Sequence, residues 1–164
     1  MKHAVLLIAH GSPAKDMPRA LLAELRALHK QSDKSDAERE REHEVERQIR
    51  AWPRNENNDP YGRGTQALVH ELRALLDGVQ VVAAYNEFSA PSIEVAIAQL
   101  VADGVNEVDV LTTMMTPGGG HSEHDIPEAL ARCRERFTDL TLTYRWPFDP
   151  KLVAQLLQRH LAAH

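Results

Sequence analysis

An α/β fold with a four-stranded parallel sheet is predicted by three features of this chain. Four short β-branched or apolar runs, at 4–9, 79–85, 108–115 and 140–144, alternate with amphipathic helical patterns, as strands buried on both faces of a parallel sheet do. The stretches between them are long enough for right-handed helical crossovers. Each of the first three runs ends in turn-forming residues: His10-Gly11-Ser12-Pro13, Asn86-Glu87-Phe88-Ser89-Ala90 and Pro117-Gly118-Gly119-Gly120. The expected architecture is a three-layer αβα sandwich with the flavodoxin-like strand order 2-1-3-4.

The elements follow in order. Ala4 to Ala9 is an uninterrupted apolar run and reads as a central strand. Met17 to Lys30 carries Leu21, Leu22, Leu25 and Leu28 at helical spacing,. Ser35 and Glu38 make a capping box for a highly charged helix over 36–51, with Glu46/Arg50 and Glu38/Arg41 at pairing distance along it. That face is expected to be solvated and to carry no chemistry, while Val45, Ile49 and Trp52 are available to dock the helix on the body or on a partner. Residues 53–64 have loop composition and could act as a lid. A helix resumes from Thr65 and stops at Asp77-Gly78. The second strand, 79–85, leads to a helix over 91–102. The third strand, 108–115, leads to a helix over 125–137, for which Asp125 is the expected cap, with Glu128 at N3 and Pro127 in the first turn. The fourth strand and a last helix over 150–162 close the chain.

Length and composition bound the function. With 164 residues, 43% of them hydrophobic, the chain suits one domain over 1–164, with a charged helical insertion at about 31–63. A formal charge of −5 argues against nucleic-acid and anionic-membrane surfaces, which reward a basic patch. The one cysteine, Cys133, excludes an intramolecular disulfide and fits a reducing compartment and a structural role on its helix. No secretory leader or apolar run of about 18 residues is present. A cytoplasmic protein that spans no membrane is expected.

Three polar residues stand at carboxyl ends of strands, where open α/β sheets bind ligands. They are His10, Glu87 and His121, and the order 2-1-3-4 would line them along one crevice as Glu87, His10, His121. Two imidazoles and a carboxylate suit a borderline divalent ion such as Fe, Co, Ni or Zn and leave coordination positions open. Either histidine could be ligand, base or both. Gly118, Gly119 and Gly120 permit positive φ and close ligand approach, and the helix start after them could offer N–H groups to an anion. His124 could supplement the site. The glycine run lacks the Lys-Ser/Thr of a P-loop and the spacing of a dinucleotide fingerprint, so no nucleotide or organic cofactor is expected; His121 and His124 do not form a zinc-protease helix. Ser12 lacks the setting of a hydrolase nucleophile.

Four segments together resemble a known family. They are Leu6 to Pro13 (LLIAHGSP), Glu87-Phe88 leading into Ala90-Pro91-Ser92-Ile93-Glu94, the strand at 108–115, and Pro117 to Pro127 (PGGGHSEHDIP). In this order they resemble the small class II tetrapyrrole chelatases, the sirohydrochlorin cobaltochelatase and ferrochelatase group, over about 1–20 and 64–146. The resemblance implies insertion of a divalent metal, Co2+, Fe2+ or Ni2+, into a carboxylate-rich tetrapyrrole such as sirohydrochlorin, without ATP, in cobalamin or siroheme synthesis and by a homodimer. Carried over by position, it makes His10 and His121 the paired site histidines and Glu87 their acidic partner. Ser12, Gly118, Gly119, Gly120 and His124 would then contact substrate, with Lys15, Arg19, Arg63 and Arg145 as candidate partners for its carboxylates. Segment 31–63 departs from the short members of the group but leaves the three site residues untouched. Two other classes fit the same residues: a non-catalytic carrier of metal or tetrapyrrole, and a scaffold that uses the charged helix as a docking arm.

Overall fold

Every residue from Ala4 to Ala9 is buried, and alternate side chains serve two different cores. That is the behaviour of a central strand, whose period of two sends neighbours to opposite faces. The computed structural model describes residues 2–163. Its strands are β1 (His3–Ala9), β2 (Gln80–Tyr85), β3 (Glu107–Thr112) and β4 (Thr141–Tyr144), all parallel, in the order β2-β1-β3-β4. The helices are α1 (Arg19–His29), α2 (Asp36–Arg50), α3 (Pro60–Leu75), α4 (Ile93–Ala102), α5 (Ile126–Arg136) and α6 (Pro150–Ala162).

On one face Ala4, Leu6 and Ile8 meet Ile97 and Leu100 of α4 and Ile126 and Leu130 of α5. On the other, Val5, Leu7 and Ala9 meet Val69 of α3. The predicted α/β class and strand order are those observed.

The charged segment is more than a solvated arm. Leu25 and Leu28 of α1 close on Val45 and Ile49 of α2 in a third core, with Trp52 and Phe88 packed against it. Ser35 and Glu38 form the expected capping box. The expected pairs along the helix give way to contacts that leave it: Arg41 reaches Glu24 of α1 at 2.6 Å, and Arg50 turns to main-chain carbonyls near β2. Docking of Val45 and Ile49 fixes the rotation of α2, and that rotation sets where its charges point.

The loop expected over 53–64 is shorter, because Asp59 caps α3 by accepting from the Gly62 N–H and Pro60 occupies the first turn,. It is also tied down. Buried Asn58 donates to the Asp16 carboxylate and the Pro53 carbonyl, and Arg54 pairs with Asp59 at 3.0 Å. These contacts make it a strut between α2 and α3 rather than a lid. Helix α6 buries none of its residues and exposes Leu152, Leu156, Leu157 and Leu161. No described helix is long and apolar enough to cross a membrane.

Fully buried Leu6 and 80% exposed Leu161 give opposite expectations. Leu6→Ala should cost about 3 kcal/mol in denaturant titration, from lost transfer energy plus a cavity, whereas Leu161→Ala should change the monomer's stability by less than about 0.5 kcal/mol.

Candidate functional site

The site begins with a turn that only glycine can make. Immediately after β1, Gly11 adopts φ +92°, and a Cβ on it would lie 1.9 Å from the carbonyl oxygen of Glu87. The backbones following β1 and β2 therefore touch. The Asn86 N–H donates to the Ala9 carbonyl at 2.9 Å, and the Glu87 N–H donates to the His10 carbonyl at 2.8 Å. The first bond continues the parallel ladder one step past the strands and the second, from the very next residue, turns the chain, so that His10 and Glu87 come out on one edge. Ser12 belongs to the same brace, since its carbonyl accepts from the Ser89 hydroxyl and from Arg54. Phe88 follows Glu87 at φ +58°, an uncommon conformation for an aromatic residue,.

His121 arrives from the next strand connection. Within the glycine run only Gly118 takes positive φ, at +92°, and its N–H is taken by the Glu123 carboxylate at 2.7 Å. The chain then enters a π-helical turn, His121–Asp125, that runs into α5. Asp125 accordingly has helical dihedrals and makes no side-chain cap, which corrects the expected cap at that residue. Its carboxylate lies one turn from His121 and stands 2.5 Å from Nδ1 of that ring. Anion-directed N–H groups at the start of α5 are not left open, because the helical path begins five residues earlier. From β4 the Tyr144 hydroxyl donates to the Ser122 carbonyl at 3.0 Å; burial pushes its pKa up to about 12, aided by Glu123, so it stays a donor.

The result is a cluster. The rings of His10 and His121 stand edge to face with centroids 4.8 Å apart. Nε2 of His10 is 3.9 Å from one Glu87 carboxylate oxygen, and Nε2 of His121 is 4.0 Å from the other. Ligand atoms from all three residues lie within 4.8 Å of one another, and among the described residues no other set of three His, Cys, Asp or Glu does so. All three are part-exposed, at 29–39% of their side-chain surface.

Tautomers are fixed from behind. Nδ1 of His10 is 2.8 Å from the Gly11 carbonyl, which only accepts, so Nδ1 carries the proton and Nε2 presents a lone pair,. The Asp125 carboxylate imposes the same tautomer on His121. Asn86 Nδ2 also lies 2.8 Å from that Nδ1, but an amide N–H finds no lone pair on a protonated nitrogen; the shorter contact to an acceptor decides, and Asn86 donates to Asp125 at 3.4 Å,. Two imidazole lone pairs and a carboxylate thus converge. Ligand atoms about 2.1 Å from one ion stand at most about 4.2 Å apart; the two nitrogen-to-oxygen separations fall inside that limit, each to a different carboxylate oxygen, and the 4.8 Å span of the whole set needs a small inward shift to close on one ion.

A cleft of about 810 Å³ opens on Glu87, walled by α1 and α2 on one side and by α4 and α5 on the other; a hollow of about 370 Å³ borders His121 together with Met114 and Met115. His124 is exposed and is not one of the three clustered ligands, and Ser12 braces the loop. Lys15, Arg19 and Arg63 face solvent away from the cleft lining, and Arg145 is engaged by Asp109 at 2.6 Å. The cations on the cleft wall are Arg47, Arg50 and Arg132, of which Arg47 is paired with Glu44, Arg132 with Glu94 at 2.8 Å, and Arg50 is taken up by main-chain carbonyls. Of the groups that sequence reasoning missed, Asp125 had a usable signal, its i,i+4 spacing from His121; Arg50, Arg54, Asn86 and Tyr144 had none.

A doubly wound parallel sheet with two imidazoles and a carboxylate gathered on its carboxyl edge defines the class of protein. The chain belongs to the CbiX family, whose model matches residues 57–163. That span holds Glu87 and His121 and leaves out β1 and His10. Three solved structures share the fold. SirB from Bacillus subtilis with Fe3+ matches at a TM-score of 0.52 and 19% identity, over 97% of this chain and 46% of that one. The sirohydrochlorin chelatase SirB from Bacillus subtilis subspecies spizizenii, in complex with cobalt, matches at 0.55 and 19%, over 99% and 51%. The CbiX protein from Marinobacter aquaeolei VT8 matches at 0.57 and 16%, over 99% and 98%. This chain therefore spans about half the length of the SirB chains and nearly all of the Marinobacter one. No curated protein matches the chain.

Gly11→Ala should lower stability by about 2 kcal/mol or more in chemical denaturation, because positive φ and a backbone clash act together. A variant as stable as the parent would show that the two turns are not in contact.

Proposed function

We propose that the chain is a metal chelatase that inserts Co2+ or Fe2+ into sirohydrochlorin or a closely similar tetrapyrrole, without ATP, in cobalamin or siroheme synthesis. The observation that carries the reading is the convergence of His10 Nε2, His121 Nε2 and the Glu87 carboxylate. Family membership supports it, as do the iron and cobalt bound by the SirB proteins of the same fold. Ni2+ fits the same donor set, which does not discriminate among these ions. The chain supplies all its chemistry from side chains, with no organic cofactor. Residues 1–164 act as one domain in the cytoplasm, and the exposed leucines of α6 support pairing as a homodimer.

Metallation exchanges one divalent cation for two pyrrolic protons. The metal is a substrate, so the site must hold it loosely enough to release it. His10, Glu87 and His121 replace part of its water shell and leave positions open toward the macrocycle. As ring nitrogens displace the protein ligands, each freed imidazole regains a lone pair and can take a proton. His121 is oriented for the acceptor role, because the Asp125 carboxylate accepts from Nδ1 and leaves the Nε2 lone pair facing the cluster,. His10 has only a neutral carbonyl behind it and serves chiefly as ligand. Arg47 and Arg132 at the cleft wall are the cations placed to meet carboxylates of the substrate,.

The test is a spectrophotometric insertion assay on metal-free sirohydrochlorin with several divalent ions. His10→Ala and His121→Ala should each lower the insertion rate by about a hundredfold or more; undiminished rates would overturn the assignment. A carrier would instead bind without turnover of excess substrate. Asp125→Asn should slow insertion and weaken cobalt binding by about tenfold or more each, because the carboxylate that sets the His121 tautomer is lost,.

A further inference from the structure

The Glu87 turn does not hold itself in place. It contains an aromatic residue at positive φ and a tight bond in which the Ser89 N–H donates to the Glu87 carbonyl at 2.6 Å, and it presents a row of carbonyls toward α2. Two arginines from the charged segment take up that row. Arg50, the last residue of α2, donates from one terminal nitrogen to the Ser89 carbonyl at 2.6 Å and the Tyr85 carbonyl at 3.3 Å, and from the other to the Asn86 carbonyl at 2.6 Å. Arg54 bridges the first and second turns, donating to the Ser12 carbonyl at 2.8 Å and the Phe88 carbonyl at 2.7 Å. Five carbonyls on either side of Glu87 and beside His10 are thus held by two planar forks.

Arg54 is itself oriented by Asp59, the cap of α3, and both side chains are largely buried. Arg50 is placed by the neighbouring Ile49, which is 1% exposed in the α1–α2 core. A guanidinium suits this work because its donors diverge in a fixed plane, whereas an ammonium is a single point from which three separated carbonyls cannot be reached together.

We propose that Arg50 and Arg54 are positioning residues of the metal site: they fix the main chain around Glu87 so that its carboxylate meets both imidazoles, which makes the segment 36–59 a working part of the site. This rests on reading His10, Glu87 and His121 as the metal ligands. Neither arginine touches the cation. They act through Glu87, so their effect must depend on Glu87 being there.

A double-mutant cycle reads that dependence. Cobalt affinity would be measured by calorimetry and by the visible spectrum of bound Co2+ for the wild type, Arg50→Lys, Glu87→Gln and the double variant, with Arg54→Lys run in parallel in case Arg50→Lys fails to fold. Arg50→Lys and Arg54→Lys should each weaken cobalt binding by about tenfold, the size of effect typical of groups that orient metal ligands, and change the cobalt spectrum. In the Glu87→Gln background the same change should have little further effect. Wild-type affinity in both lysine variants would overturn the proposal, and so would an equal loss with and without Glu87, which would mark a general effect on the fold. Failure of the wild type itself to bind cobalt would sink the metal-site reading, and this inference with it.

Discussion

The close approach of Gly11 to the Glu87 carbonyl is the contact on which the site depends. Without it, β1 and β2 would end as separate turns and their side chains would diverge with the twist of the sheet. With it, two further main-chain bonds join the strand ends, and His10 and Glu87 leave the sheet side by side. The glycine is needed for two independent reasons, its positive φ and the absence of room for a Cβ. His121 then has only to come from β3, the other neighbour of β1, to complete the group.

Packing supplies the frame and polar contacts supply the aim. Ala4, Leu6 and Ile8 on one face and Val5, Leu7 and Ala9 on the other lock the central strand between helices, so its end is a fixed point. From there the orientation of each side chain is set by something behind it: a carbonyl for His10, a carboxylate for His121 and arginine-held carbonyls for Glu87. The site stays partly exposed, as the proposed passage of a cation in and out of it requires.

Much of this was legible in the sequence because it rests on local patterns. Apolar runs of strand length, broken by His-Gly or Pro-Gly-Gly-Gly, mark both the strands and the edge that matters. What was not legible depends on partners distant in the chain. Glu38, Arg41, Glu46 and Arg50 satisfy the spacing rules for pairs along a helix, yet the burial of Val45 and Ile49 rotates α2 so that Arg41 meets Glu24 and Arg50 meets carbonyls near β2. Main-chain carbonyls leave no mark in a sequence, so the arginines that hold them look like ordinary surface charge. Asp125 was misread for a different reason: three glycines argue for a loop, and a loop would leave Asp125 as a cap. Because the helical path starts at His121 instead, the same residue becomes the partner of an imidazole.

The central claim is that two imidazoles and one carboxylate, delivered by three strand connections, close on a single cation. X-ray absorption at the cobalt edge tests it directly on the one-to-one Co2+ complex of the intact protein. The account predicts two imidazole rings in the inner shell, visible through their outer-ring scattering, together with oxygen from a carboxylate and water. A shell of oxygen atoms alone, or one with a single imidazole, would contradict it.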